Sequence, residues 1–189
     1  MECAGLVPEC EKAYRNWQCF INKGVDKLSV QVVDAVIEKM NEVKEKDCRL
    51  IMLIGPRGSG KTRVLKEVER LTGAPRVNVT LELSRRLLNI DSEDRPLKAG
   101  EVFKDMLADL RMEDGTFLEA VLLDDIEALF EPYLELDAIQ VLREVSRNKT
   151  VVAACTGKVE EDSLLCFDPK GNRYLEFPLE DLVIVQIAT

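Results

Sequence analysis

Apolar residues along the chain follow two alternating rhythms. Continuous apolar runs stand at Leu50–Ile54 and Val151–Cys155, and strands are predicted at Arg49–Ile54, Pro75–Val79, Phe117–Leu123, Thr150–Cys155 and Leu182–Ile187. Such runs predict strands buried on both faces of a parallel sheet. Between them apolar residues return every three or four positions, the spacing of one helix face. Val32, Val33, Val36, Ile37, Met40 and Val43 predict a helix over 29–46, with Ser29 placed to cap it. Val64, Leu65, Val68 and Leu71 predict another, stopped by Gly73. Thr80 is placed to cap a helix reaching Leu88, residues 91–96 read as a loop, and Val102 to Leu110 and Leu136 to Val145 carry two further helical stripes. Near the N-terminus Tyr14, Trp17, Phe20 and Ile21 share the spacing of a short helix packed at the core's edge. The tail differs: Leu164–Phe167 and Tyr174–Phe177 flank the turn signal Asp168-Pro-Lys-Gly-Asn172 and predict a β-hairpin.

Alternating strands and helices define an α/β fold, a mostly parallel sheet with helices on both faces. Ligands in such sheets bind at the carboxyl ends of the strands. The sequence divides into an N-terminal helical segment, 1–47, packed on a main domain, 48–189.

Composition narrows the chemistry. There is no histidine, which excludes Ser-His and Cys-His nucleophile pairs, HExxH zinc sites and a histidine base. With Lys plus Arg at 26 and Asp plus Glu at 35, the net charge of −9 argues against a dedicated binder of nucleic-acid backbone. Six cysteines, at 3, 10, 19, 48, 155 and 166, include no CxxC pair and read as reduced thiols. The apolar runs are too short to span a bilayer, and the opening MECAGLVPEC has no signal-peptide pattern, so a cytoplasmic location and no membrane contact are expected.

Gly55-Pro56-Arg57-Gly58-Ser59-Gly60-Lys61-Thr62 matches GxxxxGK[ST] between a predicted strand and a predicted helix. Glycines let the backbone close around phosphate oxygens, and the N–H groups point inward at the positive helix end. Lys61 can reach the β- and γ-phosphates, and the Thr62 hydroxyl can bind Mg²⁺. Arg57 either faces solvent or touches a phosphate. Val121-Leu122-Leu123-Asp124-Asp125 reads as an apolar strand ending in carboxylates, with Asp124 the Mg²⁺ candidate opposite Thr62. ATPases with an additional central strand usually place glutamate next. Here it is Asp125, one methylene shorter, so Asp125 is the favoured catalytic acid, Glu127 the second choice, and turnover is expected to be slow. Thr156, at the predicted end of the fourth strand, is the candidate γ-phosphate sensor.

Arg143 and Arg147 lie four apart on a predicted helix, and Arg85 and Arg86 form another pair. Each is a candidate to act on a neighbouring subunit's phosphates, or simply a solvated helix face. No NKxD follows a strand, which favours ATP over GTP. Few residues follow Thr156 and they look like β structure, so an AAA+-like core without its helical lid is expected.

The strings GPRGSGKTRVLKEV, NVTLELSRRLL, VLLDDIEALFEP and LREVSRNKTVVAACTG resemble the BrxF family, small P-loop proteins of type-3 BREX phage-exclusion systems. The resemblance spans roughly residues 48–187. It implies a P-loop NTPase component of a bacterial defence apparatus that works beside a larger ATPase, a DNA methyltransferase and a phosphatase-like protein. Its nucleotide residues map to Gly55 through Thr62, Asp124 and Asp125. The expected function is therefore ATP binding with Mg²⁺ and slow hydrolysis, with nucleotide state controlling self-assembly or docking to the larger ATPase. DNA contact is expected only within the complex. A P-loop small-molecule kinase and a non-hydrolysing nucleotide-bound scaffold are the alternatives.

Overall fold

The computed structural model describes residues 27–110, 118–168, 172–180 and 182–187. The helix expected around Trp17, the cysteines Cys3, Cys10 and Cys19, Phe117 and the hairpin tip at 169–171 lie outside these residues. The chain enters through helix α1 (Lys27–Glu42) and a single 3-10 turn, then runs β1 (Leu50–Gly55), α2 (Lys61–Thr72), β2 (Arg76–Asn78), α3 (Val79–Leu87), α4 (Arg95–Ala108) and β3 (Ala120–Asp124). Two 3-10 segments lead to α5 (Ala138–Val145), the long strand β4 (Thr150–Glu160), the hairpin β5 (Ser163–Asp168) and β6 (Arg173–Pro178), and β7 (Val183–Gln186).

Five strands lie side by side in the order β2-β3-β4-β1-β7, every pair parallel. Strand β4 thus stands between β1, which feeds the phosphate loop, and β3, which ends in carboxylates. This is the additional-strand order of the P-loop NTPase fold expected from the sequence.

Successive side chains of a strand point to opposite faces, and here both faces are buried. In β1, Leu50, Met52 and Ile54 enter one core while Ile51 and Leu53 enter the other. In β4, Val151, Ala153 and Cys155 alternate in the same way with Val152 and Ala154. One core is closed by α1 and α2, through Val33, Val36, Leu65 and Val68. The other is closed by α3, α4, α5 and the 3-10 segments, through Leu83, Phe103, Leu129 and Leu142. Helix α1 thus covers one face of the sheet.

Several boundaries differ from the sequence reading. Helix α1 begins at Lys27, so Ser29 lies inside it and not at its cap. The cap of α3 is Asn78, whose side chain accepts from the Leu81 N–H; Thr80 sits within the helix. Arg95 already belongs to α4, so the connection after α3 ends at Asp94 and not at Pro96. Leu136 precedes α5, and Arg147 lies beyond its C-cap, Ser146, so Arg143 and Arg147 do not share a helix face.

The largest difference is in β4. It does not stop at Cys155 but continues to Glu160, leaving the parallel sheet after Thr156 and pairing antiparallel with β5. The hinge of this change is Gly157, where a Cβ would sit 2.2 Å from the Leu165 carbonyl oxygen. Among the described residues no helix follows β4, and no helix is long and apolar enough to cross a membrane.

Candidate nucleotide site

The phosphate loop joins the buried end of β1 to the first turn of α2. Gly58 and Gly60 have φ of +81° and +91°, the left-handed region that glycine enters without strain. At Gly55 the constraint is space instead: a Cβ there would lie 2.7 Å from Ser59 Oγ and 3.2 Å from Ile187 Cβ. Gly60 is the N-cap of α2 and offers no side-chain acceptor, so the helix presents its first N–H groups to the loop. That is the arrangement that receives phosphate. Arg57 is exposed.

Lys61 Nζ donates to the carbonyls of Gly55 and Pro56, both at 2.9 Å, and so spans the mouth of the loop. Burial holds its pKa below the usual lysine value; the carboxylate of Glu127, then Cys155 and Asp124, act in the opposite sense. Thr62 Oγ1 donates to Asp124 Oδ1 at 3.1 Å. The other oxygen of Asp124 accepts from Arg76 Nη1, also at 3.1 Å.

The two candidate acids have separate surroundings. Asp125 is exposed, adopts φ +55°, and its Oδ2 accepts from Asn78 Nδ2 at 3.3 Å. Its left-handed backbone is fixed from α3: the Thr80 N–H and hydroxyl both donate to the Asp125 carbonyl, at 3.0 and 2.6 Å. Aspartate tolerates this conformation better than most residues. Glu127 is half-buried, and its Oε1 accepts from the Thr156 N–H at 3.1 Å. Thr156 in turn stands beside Gly55 in the β4–β1 register, at the base of the phosphate loop. Lys61, Thr62, Asp124, Glu127 and Thr156 therefore converge on one end of the sheet.

The four arginines do not join them. Arg85 pairs with Glu82, and Arg86 with Glu82 and Asp109. Arg143 donates to the Glu180 carbonyl. The end of α5 lies beside the start of β1, where Arg49 N–H donates to the Ser146 carbonyl, so Arg143 and Arg147 are at the opposite end of the sheet from the phosphate loop.

Three residues at the site were not anticipated. Asn78 ends β2 and Thr80 lies in the first turn of α3, both at the ligand-binding edge of the sheet. Arg76 gave no local signal, because its partner Asp124 is 48 residues away.

The donor set suits Mg²⁺ accompanied by phosphate. Thr62 and Asp124 supply hard oxygen ligands, and Mg²⁺ takes one or two protein oxygens and completes its shell with water and phosphate. Among the described residues no group of three or more His, Cys, Asp and Glu is placed to hold a metal by itself. Ser59 Oγ and Glu127 Oε2 are buried here without a hydrogen-bond partner. Unpaired buried polar atoms are rare and costly; a phosphate could accept from the Ser59 hydroxyl, and a water beside it could donate to Glu127 Oε2. Mg²⁺ bound here would neutralise phosphate charge, and Lys61 and the α2 N–H groups would hold phosphate oxygens.

The loop, the acid-ended β3 and the interposed β4 together define a P-loop NTPase fold. No protein-family model matches the sequence, and no curated protein matches it. Among solved structures, similarity is found to C. elegans PCH-2, at 16% identity over 85% of this chain and 41% of that one, with a TM-score of 0.42. Drosophila ORC bound to DNA is similar at 17% identity over 87% of this chain and 46% of that one, with a TM-score of 0.39. The chain spans less than half of the length of either.

Proposed function

We propose that this chain is an ATP-binding, slowly hydrolysing P-loop subunit of a bacterial BREX phage-defence complex, acting in the cytoplasm. Nucleotide state governs its self-assembly or its docking on a larger ATPase. The observation that carries the nucleotide part is the convergence of Lys61, Thr62 and Asp124 on a loop whose glycines occupy backbone conformations that other residues enter only with strain. The defence context rests on the sequence resemblance quoted above. Slow turnover is supported by the acid next to Asp124, an aspartate whose carboxylate is engaged by Asn78. Titration calorimetry with Mg·ATP and a phosphate-release assay test the two parts separately. Heat of binding for the wild type, at least about tenfold weaker binding for Lys61→Ala, and release that Asp125→Asn or Glu127→Gln suppresses would support the proposal. Co-purification with the large ATPase of a BREX locus tests the context.

The scaffold reading is favoured by one observation: both oxygens of Asp124 already have protein partners, Thr62 and Arg76. Tight nucleotide binding with no phosphate release, even with partner proteins present, would select it.

A further inference from the structure

The Mg²⁺ candidate carries a fixed cation of its own. The Arg76 guanidinium reaches from β2 to Asp124 Oδ2 at 3.1 Å, leaving Oδ1 to Thr62. It is held from the far side as well. Glu69 on α2 accepts from the Arg76 backbone N–H at 3.2 Å, and its Oε2 lies 3.4 Å from Arg76 Nε, an ion pair without hydrogen-bond geometry. Side-chain exposure is 23% for Arg76 and 8% for Asp124, so the pair is screened weakly by solvent. Guanidinium remains charged at any working pH.

We infer that Arg76 is a built-in counter-cation to the metal acid, which makes nucleotide binding at this loop only weakly dependent on Mg²⁺. The inference rests on the nucleotide reading of the phosphate loop. Its physics is electrostatic. A carboxylate without a counter-charge attracts a divalent ion strongly; one that shares an oxygen with a guanidinium does so less, because the fixed charge repels the incoming metal. ATP then binds chiefly through Lys61 and the α2 N–H groups, and the metal adds little. An ordinary structural ion pair between Arg76 and Asp124 makes no such demand on metal dependence.

The test is fluorescent-ATP binding in excess Mg²⁺ and in EDTA, with the ratio of the two dissociation constants as the readout. For the wild type the ratio is expected to stay within about threefold. For Arg76→Gln it is expected to rise about tenfold, the size of one nearby charge partly screened by solvent. Arg76→Lys, which keeps the charge, should stay near the wild type and controls for damage to the fold. Melting curves without nucleotide report that damage separately. An unchanged ratio in Arg76→Gln would overturn the inference while leaving the phosphate loop intact. A fall in the ratio would overturn it too, by making Arg76 a positioning residue that helps Asp124 take the metal. If the wild type binds no ATP in either buffer, the nucleotide reading fails, and this inference with it.

Discussion

Replacing Gly157 by alanine probes the point where β4 leaves the parallel sheet for the hairpin. The new Cβ would lie 2.2 Å from the Leu165 carbonyl oxygen and 3.3 Å from Cys166 Cα, both backbone atoms of the paired strand β5. No rotamer relieves this contact. The strands must separate by roughly 1 Å against a normal spacing of about 4.8 Å, which disrupts the ladder on both sides. Overpacking of this kind costs about 3 kcal/mol, at the upper end of its usual range. For a chain of this size that corresponds to a fall in Tm of about 6–12 °C. Thr156 adjoins Gly157 and its N–H holds Glu127, so ATP binding should weaken as well. Gly58→Ala is the contrast: nothing lies within 4 Å of its added Cβ, and only φ of +81° opposes it. It should cost about 1–2 kcal/mol in backbone strain. Differential scanning fluorimetry on both variants gives the comparison. A Gly157→Ala protein melting within 2 °C of the wild type would refute the backbone contact on which the β4 hinge is built.

Thr80→Val removes the 2.6 Å hydroxyl bond to the Asp125 carbonyl but leaves the N–H bond. A loss of about 1 kcal/mol is expected. Phosphate release should fall by a larger factor than the melting temperature implies; equal loss in both would remove the link to Asp125. Burial lowers the Lys61 pKa, so its ammonium is less favoured in the folded protein and discharges at lower pH than in the unfolded chain. ATP affinity should therefore decline with rising pH before an ordinary lysine titrates near ~10.4, and Lys61→Arg should flatten that decline over the same range. The same shift makes the buried charge a cost to folding at neutral pH that rising pH relieves. Among the cysteines of the described residues, Cys48 is half-buried while Cys155 and Cys166 are buried, and burial pushes the Cys155 thiol well up. Peptide mapping after brief iodoacetamide treatment should find Cys48 modified and the other two untouched until the protein unfolds; early labelling of Cys155 would contradict its packing in the sheet.

Local signals carried most of the sheet into view. The unbroken run Leu50–Ile54 could only be satisfied by apolar cover on both faces, and the structure supplies α1 and α2 on one and α3 to α5 on the other. The phosphate loop was legible because its glycines, Lys61 and Thr62 are contiguous. Asp124 was legible from the apolar run before it. What escaped depends on pairing between distant segments. Arg76 meets Asp124 only because β2 and β3 are neighbours, with Asn78 opposite Asp124 in their register. Thr80 looked like a helix cap, since threonine suits that role, but Asn78 captures the Leu81 N–H and frees Thr80 to grip Asp125. The length of β4 escaped because Thr156-Gly157 resembles a strand terminus in isolation. Only the arrival of β5 explains why glycine is needed there and why the strand goes on.

The nucleotide proposal stands on the loop from Gly55 to Thr62 binding the phosphates of ATP. Titration calorimetry of the wild type and Lys61→Ala with Mg·ATP tests it directly, with melting curves to confirm that the variant is folded. A single site in the wild type and at least about a tenfold loss of affinity in Lys61→Ala are expected, the effect of deleting one charge-assisted contact to phosphate. Equal affinities in two folded proteins would contradict it, and the convergence of Lys61, Thr62 and Asp124 would then need another explanation.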